Sequence, residues 1–190
     1  MLRRIPGWAV YLAGLIPLAW VVWLVASGQI GVDPVKAIEH RLGKIALWFL
    51  IGGLAITPVR RWVNLLRFRR AVGLLAFFYV ALHLLVWLVL DMGLLWSQAL
   101  SDLVKRPYLL FGITGFVLLI PLAATSSNAA IRRLGKGWKR LHSLVYPAVG
   151  LGVLHYLWQM KVIRPEGWIW LALFGGLIGW RVLRRFGALK

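Results

Sequence analysis

Arg67-Phe-Arg69-Arg70-Ala-Val-Gly-Leu-Leu-Ala-Phe-Phe-Tyr-Val-Ala-Leu-His83-Leu-Leu-Val-Trp-Leu-Val-Leu-Asp91 is the stretch that decides the architecture. From Ala71 to Leu90 it carries no charged side chain other than an ionisable imidazole. At a rise of about 1.5 Å per residue this run reaches about 30 Å, the thickness of a bilayer's hydrocarbon core. Three arginines stand at one end and an aspartate at the other. Basic residues stay on the cytoplasmic side, so the run reads as a membrane-spanning helix that enters from the cytoplasm.

Working outward, further apolar runs fall at about 8–26, 44–59, 107–125, 143–160 and 167–183, which with 71–90 makes six. The 190 residues have a mean hydropathy of +0.80 and are 61% apolar, more than a water-soluble core of this size needs. The expected fold is therefore all-α, a polytopic bundle of six transmembrane helices forming a single domain over 1–190. The first run is longer than the core of a signal peptide and reads as an uncleaved span. There is no cysteine, which removes disulfides, thiolate metal sites and thiol catalysis.

The net charge of +18 is distributed unevenly. The N-terminus and residues 60–70, 126–142 and 181–190 carry sixteen of the 23 basic residues. The alternate connections carry the other seven together with all five acids, Asp33, Glu39, Asp91, Asp102 and Glu166. This asymmetry places both termini in the cytoplasm, in an inner (plasma) membrane. Tryptophans concentrate near the ends of the runs, at headgroup level. Topology and attraction to anionic membrane lipid account for the charge, so a nucleic-acid partner is not expected.

In the first outer connection Asp33 is suited to cap a short helix with Pro34 at its first position and Gly43 at its end. Val35, Ile38 and Leu42 share a face, so this helix is expected to lie along the outer membrane surface. In the last span Gly175, Gly176 and Gly179 suit close helix packing.

No carboxylate lies inside a span, which disfavours a proton relay or a cation-coupled transporter. No phosphate-binding glycine loop, dinucleotide fingerprint or nucleophile elbow is present. Histidine remains. His83 lies about 18 Å into the third span, and His155 about 19 Å beyond His142 along the fifth. Two imidazoles at matched depth on helices running the same way are what a six-coordinate haem iron needs, although a membrane histidine also serves as a simple interhelical hydrogen-bonding group. His142 has no histidine at its own depth; Arg67, Arg69 and Arg70 stand at that level instead and cannot ligate iron as cations. A second haem there needs an unusual ligand. A flavin mononucleotide whose phosphate meets the arginines is the other occupant. On an ideal helix His142 and His155 lie about 140° apart, unless Pro147 kinks it. His40, beside Arg41, reads as a surface residue.

Gly31-Val-Asp33-Pro34-Val-Lys36, Ile56-Thr57-Pro58, Lys105-Arg106-Pro107-Tyr108, Thr125-Ser126, Leu134-Gly135-Lys136 through Leu141-His142, and His155-Tyr156-Leu157-Trp158 occur in this order along nearly the whole chain. In combination they resemble the MsrQ family, the haem-binding membrane subunits of periplasmic protein-methionine-sulfoxide reductase systems. More distantly they resemble the ferric-reductase and NADPH-oxidase transmembrane domain, where paired histidines on the third and fifth of six helices hold two haems. The resemblance implies haem b and places His83, His142 and His155 at histidine positions of the family. It also implies FMN on the cytoplasmic side, electrons from the quinone pool or a cytoplasmic flavin reductase, and a periplasmic molybdopterin-containing partner that reduces methionine sulfoxide in oxidised proteins. Where the oxidases have an inner histidine on the third span, this chain has Arg69 and Arg70, which favours one haem plus flavin over two haems.

The expectation is thus an electron-transfer subunit rather than the catalytic subunit. His83 and His155 ligate the haem iron, and His142, Arg69 and Arg70 shape the inner cofactor site, with His142 the candidate ligand if a second haem is present. Arg106-Pro107-Tyr108 docks the partner. The alternative is a cofactor-free membrane anchor or assembly scaffold for the same partner.

Overall fold

The computed structural model describes residues 6–160, 162 and 164–187. Arg3, Arg4, Lys161 and Lys190, which contribute to the charge asymmetry, lie outside the described residues. All regular structure among the described residues is helical. The helices are α1 Gly7–Ala26, α2 Pro34–Val59, α3 Arg69–Val86, α4 Trp96–Lys105, α5 Pro107–Ala124, α6 Asn128–Leu134, α7 Lys136–His142, α8 Val145–Trp158 and α9 Pro165–Arg185. α3 runs on through a π-helical turn, Trp87–Asp91.

α1, α2, the stretch Leu66–Asp91 and α5 are long and apolar enough to cross a membrane. The same measure of length and composition does not select α8, which has 14 residues, or α9, which gathers Arg181, Arg184 and Arg185 near its end. Both still align with apolar runs of the sequence. The apolar side chains of α1 face outward more than inward: Leu12, Ile16, Trp20 and Val22 are exposed, while Gly14, Val21 and Leu24 are buried. A helix that is apolar on its outer face needs an apolar solvent there.

The chain divides into two compact units. The first contains residues up to Leu50 and Arg67–Arg106. Its core is Leu42, Ala46, Leu75 and Tyr79, with Val10, Leu18, Ile38 and Phe49 packed against it. Tyr79 is fully buried, stacks on Phe49 with centroids 5.3 Å apart, and wedges its hydroxyl into the α1 ladder. It donates to Gly14 C=O (2.6 Å) and accepts from Leu18 N–H (3.2 Å). Both polar capacities of a buried phenol are thereby satisfied. Gly14 allows the close crossing with α3: a Cβ there would overlap the Leu75 side chain, which would have to shift.

Asp33 caps α2 as expected, accepting from the Lys36 amide (3.1 Å). Gly43 does not end a helix. α2 is continuous from Pro34 to Val59, and Leu42 packs inward on the Tyr79 core instead of lying along a membrane surface. The physical reason is that Ile38, Leu42 and Ala46 keep a helical repeat on one buried face, and that face outweighs the modest helix penalty of one glycine. α4 was not anticipated from the sequence. It buries Ala99 and Asp102 while Trp96, Leu100 and Val104 stay exposed.

The second unit contains Ile51–Leu66 and the chain from Pro107 onward. α5 and α8 pack closely; a Cβ at Gly115 would stand 3.3 Å from Ala148 C=O. α9 meets α8 where Phe174 lies against Gly150. Arg181 is held by Leu177 C=O (2.9 Å) and Leu54 C=O, and its guanidinium lies over the Tyr146 ring at 5.3 Å. α6 begins at Ser127, whose hydroxyl accepts from the Ala130 amide (3.1 Å), and Gly135 at φ +50° turns the chain from α6 into α7.

Candidate functional site

The sequence-predicted histidines occupy three different local settings. His83 is in the last turn of α3 and half-buried. Its Nδ1 lies 2.9 Å from the backbone carbonyl of Glu39, in the second turn of α2. A carbonyl only accepts, so the Nδ1 carries the proton; in the neutral ring the lone pair then sits on Nε2. The ring lies against Gly43, one turn further along α2: a Cβ there would stand 3.2 Å from Cε1 and 3.3 Å from Nδ1.

His155 repeats the arrangement in the second unit. It lies in the last turn of α8, half-buried, with Nδ1 2.7 Å from the carbonyl of Tyr108 in the first turn of α5. Here too the proton belongs to Nδ1 and the lone pair to Nε2. The ring lies against Gly112, where a Cβ would stand 2.9 Å from Nδ1 and 3.0 Å from Cε1. The Tyr108 ring flanks it with centroids 5.8 Å apart.

His142 differs. It closes α7, a helix separate from α8, with Ser143 and Leu144 intervening. The ideal-helix angle between His142 and His155 therefore does not apply, and Pro147 falls in the first turn of α8, where its missing N–H costs little. Thr125 Oγ1 donates to Pro121 C=O (2.6 Å) and lies 3.0 Å from His142 Nε2. With its only proton spent, the hydroxyl accepts from Nε2–H, so on this imidazole Nε2 carries a proton. Trp138 stacks on it at 3.9 Å and donates from Nε1 to Thr125 C=O (3.0 Å).

Arg69 and Arg70 are the first two residues of α3 and both are exposed. Cations at a helix N-terminus oppose the helix dipole, a cost that a bound anion would relieve. Arg67 lies over Phe68 at 4.3 Å. His40 is exposed, as expected.

The donor set fits a haem iron. Each of His83 and His155 gives its Nδ1–H to a carbonyl, the outer partner that orients a metal-ligating histidine, and as a neutral ring would present Nε2 to the metal. A further observation fits a ligand bearing carboxylates. Trp87, one turn past His83, is 7% exposed, and its indole N–H is buried with no hydrogen-bond partner among the described residues. Such donors are normally satisfied. The glycines and the carbonyls of Glu39 and Tyr108 were not singled out from the sequence for this role; no sequence signal reveals which ring rests on which glycine.

Residues 42–153 match the family of the ferric reductase like transmembrane component. A protein of Rhizobium meliloti described as the protein-methionine-sulfoxide reductase heme-binding subunit MsrQ is 47% identical over 96% of this chain and 87% of its own length. The protein of the same description from Brucella ovis is 45% identical over 94% of this chain and 82% of its own length. No solved structure matches the chain. The fold and the sequence match define a helical membrane protein of the ferric-reductase-like class. Within that class, the chain belongs to the MsrQ family.

Proposed function

We propose that this chain is the haem-carrying electron-transfer subunit of a protein-methionine-sulfoxide reductase system in a bacterial inner membrane. In this reading its apolar runs, including α8 and α9, form six spans within a single domain, with both termini in the cytoplasm. His83 and His155 would hold the iron of a haem b. The observation that carries the reading is the shared setting of these two residues: each has its Nδ1 hydrogen-bonded to a carbonyl near the start of a neighbouring helix, the outer contact that orients a metal-ligating histidine. Haem b, when bound, supplies one-electron exchange between ferric and ferrous iron. The chain orients the imidazoles and directs their Nδ1–H groups to backbone carbonyls.

On the inner side the proposed cofactor is FMN, with Arg69 and Arg70 meeting its phosphate. The Nε2–Thr125 hydrogen bond supports a bordering role for His142 rather than iron ligation through that nitrogen. Electrons enter from the quinone pool or a cytoplasmic flavin reductase and leave towards a periplasmic molybdopterin-containing reductase subunit. Arg106-Pro107-Tyr108 is the proposed docking segment; the carbonyl of Tyr108 is itself the His155 acceptor, which brings a surface contact within one residue of a ligand.

The test is the absorption spectrum of the detergent-purified protein, oxidised and dithionite-reduced, with haem and flavin extracted and counted per chain. Sharp reduced b-type bands, absent from His83→Ala and His155→Ala, are expected. A colourless protein from haem-replete cells would leave only the scaffold reading.

A further inference from the structure

The geometry points to Gly43 and Gly112 as a matched pair of positioning residues that set the two imidazoles, an inference that rests on the haem-ligand reading above. In each unit the imidazole reaches the carbonyl four residues before the glycine, Glu39 before Gly43 and Tyr108 before Gly112. In an α-helix the amide of residue n bonds the carbonyl of residue n−4. The imidazole N–H therefore takes the second lone pair of a carbonyl already used by the glycine's own amide. To get there the ring comes up against residue n, and a side chain at n would occupy that space.

The distances show how closely each seat is cut. A methyl at Gly43 would meet the His83 ring at 3.2–3.3 Å, inside ordinary carbon contact but relievable by a small withdrawal of the ring. At Gly112 the same methyl would stand 2.9 Å from the nitrogen that makes the hydrogen bond, so the ring has to move. Either displacement lengthens a bond now at 2.9 or 2.7 Å and turns the ring plane. An imidazole that loses its Nδ1–H acceptor is a less basic ligand and stabilises ferric iron less, so the midpoint potential rises. Other glycines on these helices lack this role: an added Cβ at Gly52 on α2 or Gly73 on α3 meets nothing within 4 Å.

The arrangement recurs with the same polarity. In both units the histidine lies three residues before the end of its helix, Val86 for α3 and Trp158 for α8, and is received near the start of an antiparallel neighbour. One device thus serves both ligands, with the tighter seat at Gly112.

The experiment compares Gly43→Ala, Gly112→Ala and the control Gly73→Ala with the wild type, in detergent. Haem content, midpoint potential by redox titration and the low-spin electron paramagnetic resonance spectrum are measured. The expected result is an upward shift in potential and a changed resonance spectrum in both variants, larger for Gly112→Ala, with Gly73→Ala unchanged. Wild-type potential and resonance in both variants would overturn the inference while leaving the ligands in place. Should Gly112→Ala not accumulate, Gly43→Ala, with the looser contact, decides alone. A haem-free wild type, or haem retained in His83→Ala and His155→Ala, would instead overturn the ligand reading on which the inference rests.

Discussion

His142 and Thr125 are joined by a 3.0 Å hydrogen bond in which the imidazole Nε2 is the donor, because the threonine hydroxyl gives its proton to Pro121. With Trp138 stacked on the ring and bonded to the Thr125 carbonyl, this knot fastens α7 to the end of α5. His142→Ala should therefore keep the b-type haem bands assigned to His83 and His155 while lowering stability by about 1 kcal/mol. Thr125→Val should cost a similar amount, and the double variant less than the sum. Spectra and thermal unfolding in detergent check both statements; loss of half the haem in His142→Ala would instead make this residue an iron ligand.

Trp87 tests the ligand from another direction. Its buried indole N–H lacks an acceptor among the described residues, so Trp87→Phe should cost the haem-free protein the packing of the lost ring atoms but no hydrogen bond. If a haem propionate supplies the acceptor, the variant should release haem faster, by about tenfold to a hundredfold, the range of a charge-assisted hydrogen bond. Haem transfer to an excess of apomyoglobin measures the rate. Equal rates would place the propionates elsewhere.

Tyr79 gives a purely structural prediction. Tyr79→Phe leaves Gly14 C=O and Leu18 N–H without the hydroxyl that bridges them. A loss of about 1–3 kcal/mol is expected, with no change in the haem spectrum or potential. Unfolding followed by near-ultraviolet circular dichroism would show it.

Arg106 stands at the proposed docking segment and forms an ion pair with Asp102 at 3.5 Å. Arg106→Ala should slow electron delivery to the partner several-fold, most clearly at low ionic strength, with the haem spectrum intact. Reduction of the partner followed by stopped flow is the measurement, and an altered spectrum would reassign Arg106 to the cofactor site.

Much of the helix placement was legible in the sequence because length and hydropathy are local properties. The Asp33 cap and the helices at Gly7–Ala26 and Pro107–Ala124 fall where the sequence puts them. Gly43 misled for a definite reason: a glycine after an amphipathic stretch signals a helix end, and what keeps α2 going is the packing of Leu42 and Ala46 on residues far along the chain. α4 did carry a signal. Trp96, Ala99, Leu100 and Leu103 keep helical spacing, but the stretch is short and the span boundaries drew the reading past it. The histidines were visible as candidates. Their tautomers were not, since these depend on carbonyls 44 and 47 residues away.

The carbonyl partners of His83 and His155 have one more consequence, for protons. A carboxylate facing an imidazole N–H can take the proton; an amide oxygen is far too weak a base to do so. Each ring is therefore tethered to a group that holds its hydrogen in place without ever accepting it. With every acidic side chain absent from α3 and α8, neither histidine has a relay through which to pass a proton along its own helix. In the proposed reading, a chain built this way would keep electron transfer and acid–base traffic separate at these two residues.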